Sequence, residues 1–187
     1  AGDDPLDRFR EMFLAPLASV DVMGVCFNDG EDVVCNSRSP NAALVEFGCL
    51  EPFRYSAPWS SCLRGRTVLV IHPFADSITR QYRDRRRLLF QDPDVLPDFE
   101  LKTVKAIQPT VGSRVRFATW FDAYEHMCRQ IANVEFDVAL IGAGAYGLPL
   151  ASFVKGRGRQ AIHLGGVTQI LFGIKGRRWE TVYAETT

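Results

Sequence analysis

The apolar positions of this chain change period several times. Leu6, Phe9, Phe13 and Leu17 recur near helical spacing, with Asp3 or Asp4 available as a cap, and predict a first helix over Leu6–Leu17. VDVMGVCF (Val20–Phe27) reads as a strand that ends in the turn-forming Asn28-Asp29-Gly30. Residues 37–61 are rich in Pro, Gly and Ser, and a short helix is expected there around Asn41–Phe47. TVLVIH (Thr67–His72) is a continuous apolar run, as expected of a strand covered on both faces in a parallel sheet. Pro73 halts it, and Asp76–Phe90 continues as an Arg-rich amphipathic helix. After a loop at 91–98, Glu100–Ile107 alternates like a half-exposed strand, and Phe117–Ile131 carries Trp120, Phe121, Tyr124, Met127 and Ile131 on one side of a helix. DVALI (Asp137–Ile141) and QAIHL (Gln160–Leu164) are further strands, separated by a helix from Leu148 to Val154. Thr168–Glu180 is expected to be partly helical, with a tail at 181–187.

Strands alternating with helices predict an α/β fold: a single Rossmann-like domain over residues 1–187, with a mostly parallel sheet flanked by helices. Residues 1–65 form an irregular part holding the first strand, and 66–180 the Rossmann-like core. At 47% hydrophobic and 24% charged, the chain can bury a sizeable core. Lys plus Arg (22) equals Asp plus Glu (22), so nothing in the net charge supports a general nucleic-acid or membrane-surface binder. Val138–Val154 is the longest uncharged stretch, but it holds three Gly and a Pro and is too short for a membrane span. Five cysteines without CxxC spacing argue against a structural zinc site or a disulfide framework. The opening AGDDPLDRF has no basic or apolar leader region, so a cytoplasmic location is expected.

The sharpest motif is Gly142-Ala-Gly144-Ala-Tyr146-Gly147, a GxGxxG between a buried strand and a helix. Glycines permit a tight turn and bring backbone N–H groups near an anion, and the helix N-terminus adds partial positive charge. The plainer reading is close helix–strand packing. About 20 residues further on, where a dinucleotide site needs a carboxylate for the ribose, the chain has His163 followed by Leu164-Gly165-Gly166, which weakens an NAD(P) oxidoreductase reading. His72 holds the corresponding place after TVLVI, so two histidines at strand tips are candidates for proton transfer, or simply hydrogen-bonded polar residues. Asp29-Gly30-Glu31 follows the first strand and offers two carboxylates to a divalent cation, or one to a metal and one to a proton. A solvated acidic turn is the alternative. Lys175, Arg177 and Arg178 in FGIKGRRW suit phosphate contact if the segment folds over the site. The Arg80–Arg87 run reads as a solvated helix face, and Trp59, Trp120 and Trp179 as packing residues, with stacking on a base or sugar ring as the alternative for Trp179.

The stretch FDVALIGAGAYGLPLASFVKGRGRQAIHLGGVTQILFGIKGRRWE, with GRTVLVIHPFADSITRQY before it, resembles a group of largely uncharacterised bacterial and viral proteins associated with the GT-D-type glycosyltransferase fold. The resemblance spans roughly residues 50–180. It implies a single-domain Rossmann-like transferase that moves a sugar from a nucleotide-sugar donor to a glycan or small-molecule hydroxyl acceptor. Its DxE motif would match Asp29-Gly30-Glu31, implying Mn²⁺ or Mg²⁺ held by Asp29 and Glu31, with Glu31 as the acceptor's base. Gly142, Gly144, Tyr146, Gly147, Gly165, Gly166, Lys175, Arg177 and Arg178 would then hold the donor. A non-catalytic nucleotide- or sugar-phosphate-binding domain of a larger protein is the alternative.

Overall fold

The computed structural model describes residues 4–108 and 117–176. Helix α1 (Pro5–Leu17) starts as its sequence demands: Asp4 accepts a hydrogen bond from the Leu6 N–H, and Pro5 occupies the first turn, where its missing N–H is harmless. Strand β1 (Val22–Val25) is followed by helix α2 (Glu31–Arg38) and strand β2 (Ala43–Glu46). The two strands pair in parallel, Val22 opposite Ala43 through Val25 opposite Glu46. The turn expected at Asn28-Asp29-Gly30 is present and leads directly into α2, whose first residue is Glu31. One expectation is corrected here: Asn41–Phe47 contains a strand rather than a helix. Ala, Leu and Glu favour helix locally, but pairing with β1 supplies the backbone hydrogen bonds that a one-turn helix could not. Three 3₁₀ turns (Phe47–Leu50, Pro52–Arg54 and Trp59–Leu63) carry the chain to the main sheet.

That sheet is built from β3 (Thr67–His72), β4 (Glu100–Lys105), β5 (Val138–Ile141) and β6 (Gln160–His163). Helix α3 (Ala75–Leu89) links β3 to β4, α4 (Trp120–Ala132) links β4 to β5, and α5 (Gly147–Gly156) links β5 to β6. The short α6 (Val167–Leu171) follows β6. The strands are all parallel in the order β4-β3-β5-β6, which makes the protein α/β and Rossmann-like, as its sequence pattern predicts. Alternation along β3 sorts the two faces. Leu69 and Ile71 pack with Met127 and Ile131 of α4 and Leu150 and Val154 of α5. Val68 and Val70 pack with Ile78 of α3, Leu63, Phe99, Leu171 and Phe172. Burial on both faces is why β3 and β5 lack the polar alternation of a half-exposed strand. A capping box, Thr119 with Asp122, fixes the start of α4.

The segment before β1 is fastened to helices α5 and α4 of this core. The Lys155 ammonium, in the last turn of α5, donates to the Asp21 carboxylate (2.6 Å) and the Ser19 carbonyl (2.5 Å). Phe9 and Phe13 of α1 lie against the Trp120 ring, at centroid separations of 5.1 and 6.4 Å. No described helix is long and apolar enough to cross a membrane.

Candidate functional site

The chain leaves β3 through α3 to reach β4 on one side, then crosses through α4 to β5 on the other side. The carboxyl ends of β3 and β5 are therefore where the strand order reverses, the place at which open parallel sheets form a ligand crevice. His72 ends β3, and the glycine turn begins immediately after β5.

The glycines of that turn do different work. Gly142 is buried and hemmed in: a Cβ there would lie 2.5 Å from His72 Cδ2, 2.6 Å from the Gly165 carbonyl oxygen and 2.8 Å from Thr168 Oγ1. Gly147 opens α5 with the His163 imidazole against its Cα, in the space a side chain would need. Both positions require glycine for close packing. Gly144 differs: it is exposed, its φ is +54°, and nothing lies within 4 Å of where its Cβ would be. It is the position where a ligand can approach the backbone, and its left-handed conformation favours glycine. The plain packing reading thus holds for Gly142 and Gly147, and the open turn is confined to Gly144 and Ala145, both exposed.

Tyr146 points away from the crevice. Its ring is buried and stacks on Trp120 at 4.6 Å and 7°, and Trp120 stacks in turn on Tyr124 at 5.7 Å and 3°. The tyrosine therefore anchors the turn to α4 through its ring.

His72 and His163 flank the turn at its two ends. His72 is 4% exposed, and its Nδ1 accepts a hydrogen bond from the Phe74 N–H at 3.0 Å. The neutral ring consequently carries its proton on Nε2. Burial lowers the His72 pKa to about 4, and burial lowers that of His163 as well. At neutral pH both rings are uncharged. His72 is then suited to donating a hydrogen bond through Nε2–H, and poorly suited to counter a phosphate as a cation or to act as a strong base.

Gly165, with φ +57°, directs its carbonyl toward Gly142, and Gly166 precedes α6. Thr168, in the first turn of α6, was not singled out from the sequence. It is fully buried, its hydroxyl has no hydrogen-bond partner among the described residues, and that oxygen shares the small volume beside Gly142 with His72. A threonine in GGVTQILF carries no sign of this in sequence, because the missing partner depends on what the fold places around it. The first turn of α3 also faces this edge and has no side-chain cap at Phe74.

The acidic turn is organised around Glu31. Its two carboxylate oxygens accept from the Cys26 N–H (3.1 and 3.0 Å), and one of them also accepts from the Asn28 N–H (3.0 Å). Between those donors Phe27 holds a φ of +60° with its side chain exposed, so Glu31 stabilises a loop bent into an unfavourable conformation. Asp29 beside it is exposed. Among the described residues no hydrogen bond or ion pair joins 28–38 to the glycine turn, and α2 packs on α1. No cluster of three or more His, Cys, Asp or Glu side chains that could hold a metal occurs among the described residues. Lys175 is exposed on the segment after α6, against α3; Arg177 and Arg178 lie outside the described residues.

Compared with protein-family models, curated proteins and solved structures, the chain matches none.

Proposed function

We propose that this protein is a nucleotide- or sugar-phosphate-binding α/β domain, taking the diphosphate of a nucleotide sugar at the carboxyl ends of β3 and β5. The observation that carries this reading is the position of the exposed Gly144 turn at the reversal of strand order, beside the uncapped first turn of α3. Neutral His72 supplies an Nε2–H donor at the same edge. The backbone N–H groups and helix ends contribute partial positive charge that the uncharged imidazoles do not.

Glycosyl transfer from the bound donor to a hydroxyl acceptor is the second reading, favoured by the exposed Asp29 carboxylate on the loop after β1. Both Glu31 oxygens accept backbone N–H bonds, which leaves Asp29 the freer of the two carboxylates proposed to hold a metal. Asp29 is the group left to engage a Mn²⁺ or Mg²⁺ ion or the acceptor, and Glu31 positions it.

Calorimetric titration with UDP, GDP and NAD tests the binding reading. A nucleoside diphosphate should bind, and Gly144→Ala should weaken it by about tenfold or more, the effect of losing one or two charge-assisted backbone contacts. The methyl group enters open space, so the fold loses only about 1–2 kcal/mol from the left-handed backbone. Binding of NAD alone, or of UDP and GDP with unchanged affinity in Gly144→Ala, would overturn it. Donor hydrolysis abolished by Asp29→Asn with binding intact would establish the transferase reading.

A further inference from the structure

A second cationic feature lies outside the crevice. Helix α3 and the segment Gly173–Lys175 enclose a groove of about 510 Å³. The segment is held on the helix by the Gln81 amide, which donates to the Gly173 carbonyl at 3.2 Å. Gly173, with φ +67°, lets the backbone come against Leu89, where a Cβ would collide with the leucine side chain.

The groove is lined by Arg80 and Arg85 from one wall and Lys175 from the other, and its acid is Asp84. That acid is taken by Arg83, whose guanidinium donates to both carboxylate oxygens at 2.7 and 3.1 Å and holds the carboxyl below its ordinary range. Arg80 and Arg85 also lower it through their charge. The Ser77 hydroxyl and the Gln81 amide add uncharged hydrogen-bonding groups along the helix. Among the described residues the groove has no aromatic lining residue.

We propose that this groove binds a ligand carrying two or more phosphate groups, separately from the site at the strand tips. Arg80 and Arg85 are five residues apart on α3, about 7.5 Å in axial rise, and Lys175 lies on the other wall, so the cations are spread along the groove and suit more than one phosphate group. Guanidinium forks suit phosphate oxygens, and an ammonium on the opposite wall closes the arrangement. This assigns a role to arginines that the sequence pattern alone presents as a solvated helix face.

The test is titration of the full chain with inorganic triphosphate and orthophosphate, with amide chemical-shift mapping. Triphosphate should bind about tenfold more tightly than orthophosphate or better, because it engages cations on both walls. Its shifts should fall on α3 and Gly173–Lys175. The triple variant Arg80→Gln, Arg85→Gln, Lys175→Gln should lose about tenfold or more in triphosphate affinity, while the shifts that UDP causes at the Gly144 turn stay unchanged. Asp84→Asn, which removes the groove's acid, should strengthen binding. Shifts confined to the Gly144 turn would overturn the proposal. So would triphosphate affinity unchanged in the triple variant, or lowered in Asp84→Asn.

Discussion

Lowering the pH from about 7.5 to about 5 offers protons to imidazoles whose ordinary pKa is near 6.5. The unfolded chain accepts one at position 72; the folded chain does not, because burial holds His72 down to about 4. The unfolded state binds more protons throughout that window, so stability rises with pH across it. The contribution of His72 is fully present above about 6.5 and is lost as pH falls toward about 4. At roughly 1.4 kcal/mol per pH unit, His72 alone removes about 2 kcal/mol by about pH 5. His163 is shifted in the same direction and adds to the loss. Urea unfolding at several pH values, on the wild type and His72→Asn, measures the effect. The asparagine carbonyl can accept the Phe74 N–H in place of Nδ1, so the turn after β3 keeps its hydrogen bond. The wild type should lose about 2 kcal/mol more than the variant between about pH 7.5 and about pH 5. Parallel stability curves would refute this reasoning. An NMR titration placing the His72 midpoint near the ordinary imidazole value would do the same.

Two further outcomes follow from the hydrogen bonding of single side chains. Thr168→Val removes a buried hydroxyl with no partner at almost constant volume, so stability measured by urea unfolding should be unchanged or higher by about 1 kcal/mol. A loss of about 2 kcal/mol would mean that the hydroxyl is satisfied in solution. Glu31→Gln replaces a charged acceptor of backbone N–H bonds by a weaker one, and should cost about 1–2 kcal/mol of local stability. Faster amide exchange at Cys26 and Asn28 should report it, while an unchanged exchange pattern would show that the loop stands without the carboxylate.

The elements legible in the sequence are those whose burial leaves a local imprint. TVLVIH and DVALI are apolar on both faces because helices cover both, and the Trp120–Ile131 stripe repeats because one side of α4 meets the sheet. Helix α2 was missed because Val33 and Val34 are exposed and give no periodic stripe, while Asn36 and Ser37 weaken helix propensity. Strand β2 depends on a distant partner, and four residues of helix-forming composition cannot disclose it. At the crevice, the glycine turn and His72 were recognisable because their position after buried strands is a sequence property. The division of labour among Gly142, Gly144 and Gly147 was not. It depends on where His72, His163 and Thr168 end up in space.

The column of rings running from Phe9 and Phe13 through Trp120 to Tyr146 has a consequence for observing this molecule. An indole sits against the tyrosine of the glycine turn, so displacement of that turn changes the surroundings of a natural fluorophore without any label attached. The same column reaches α1, whose Phe13 stands 107 residues before Trp120 in the chain. Emission from Trp120 therefore senses both the opening segment and the strand-tip crevice, and a Trp59→Phe background would isolate that signal from one other indole.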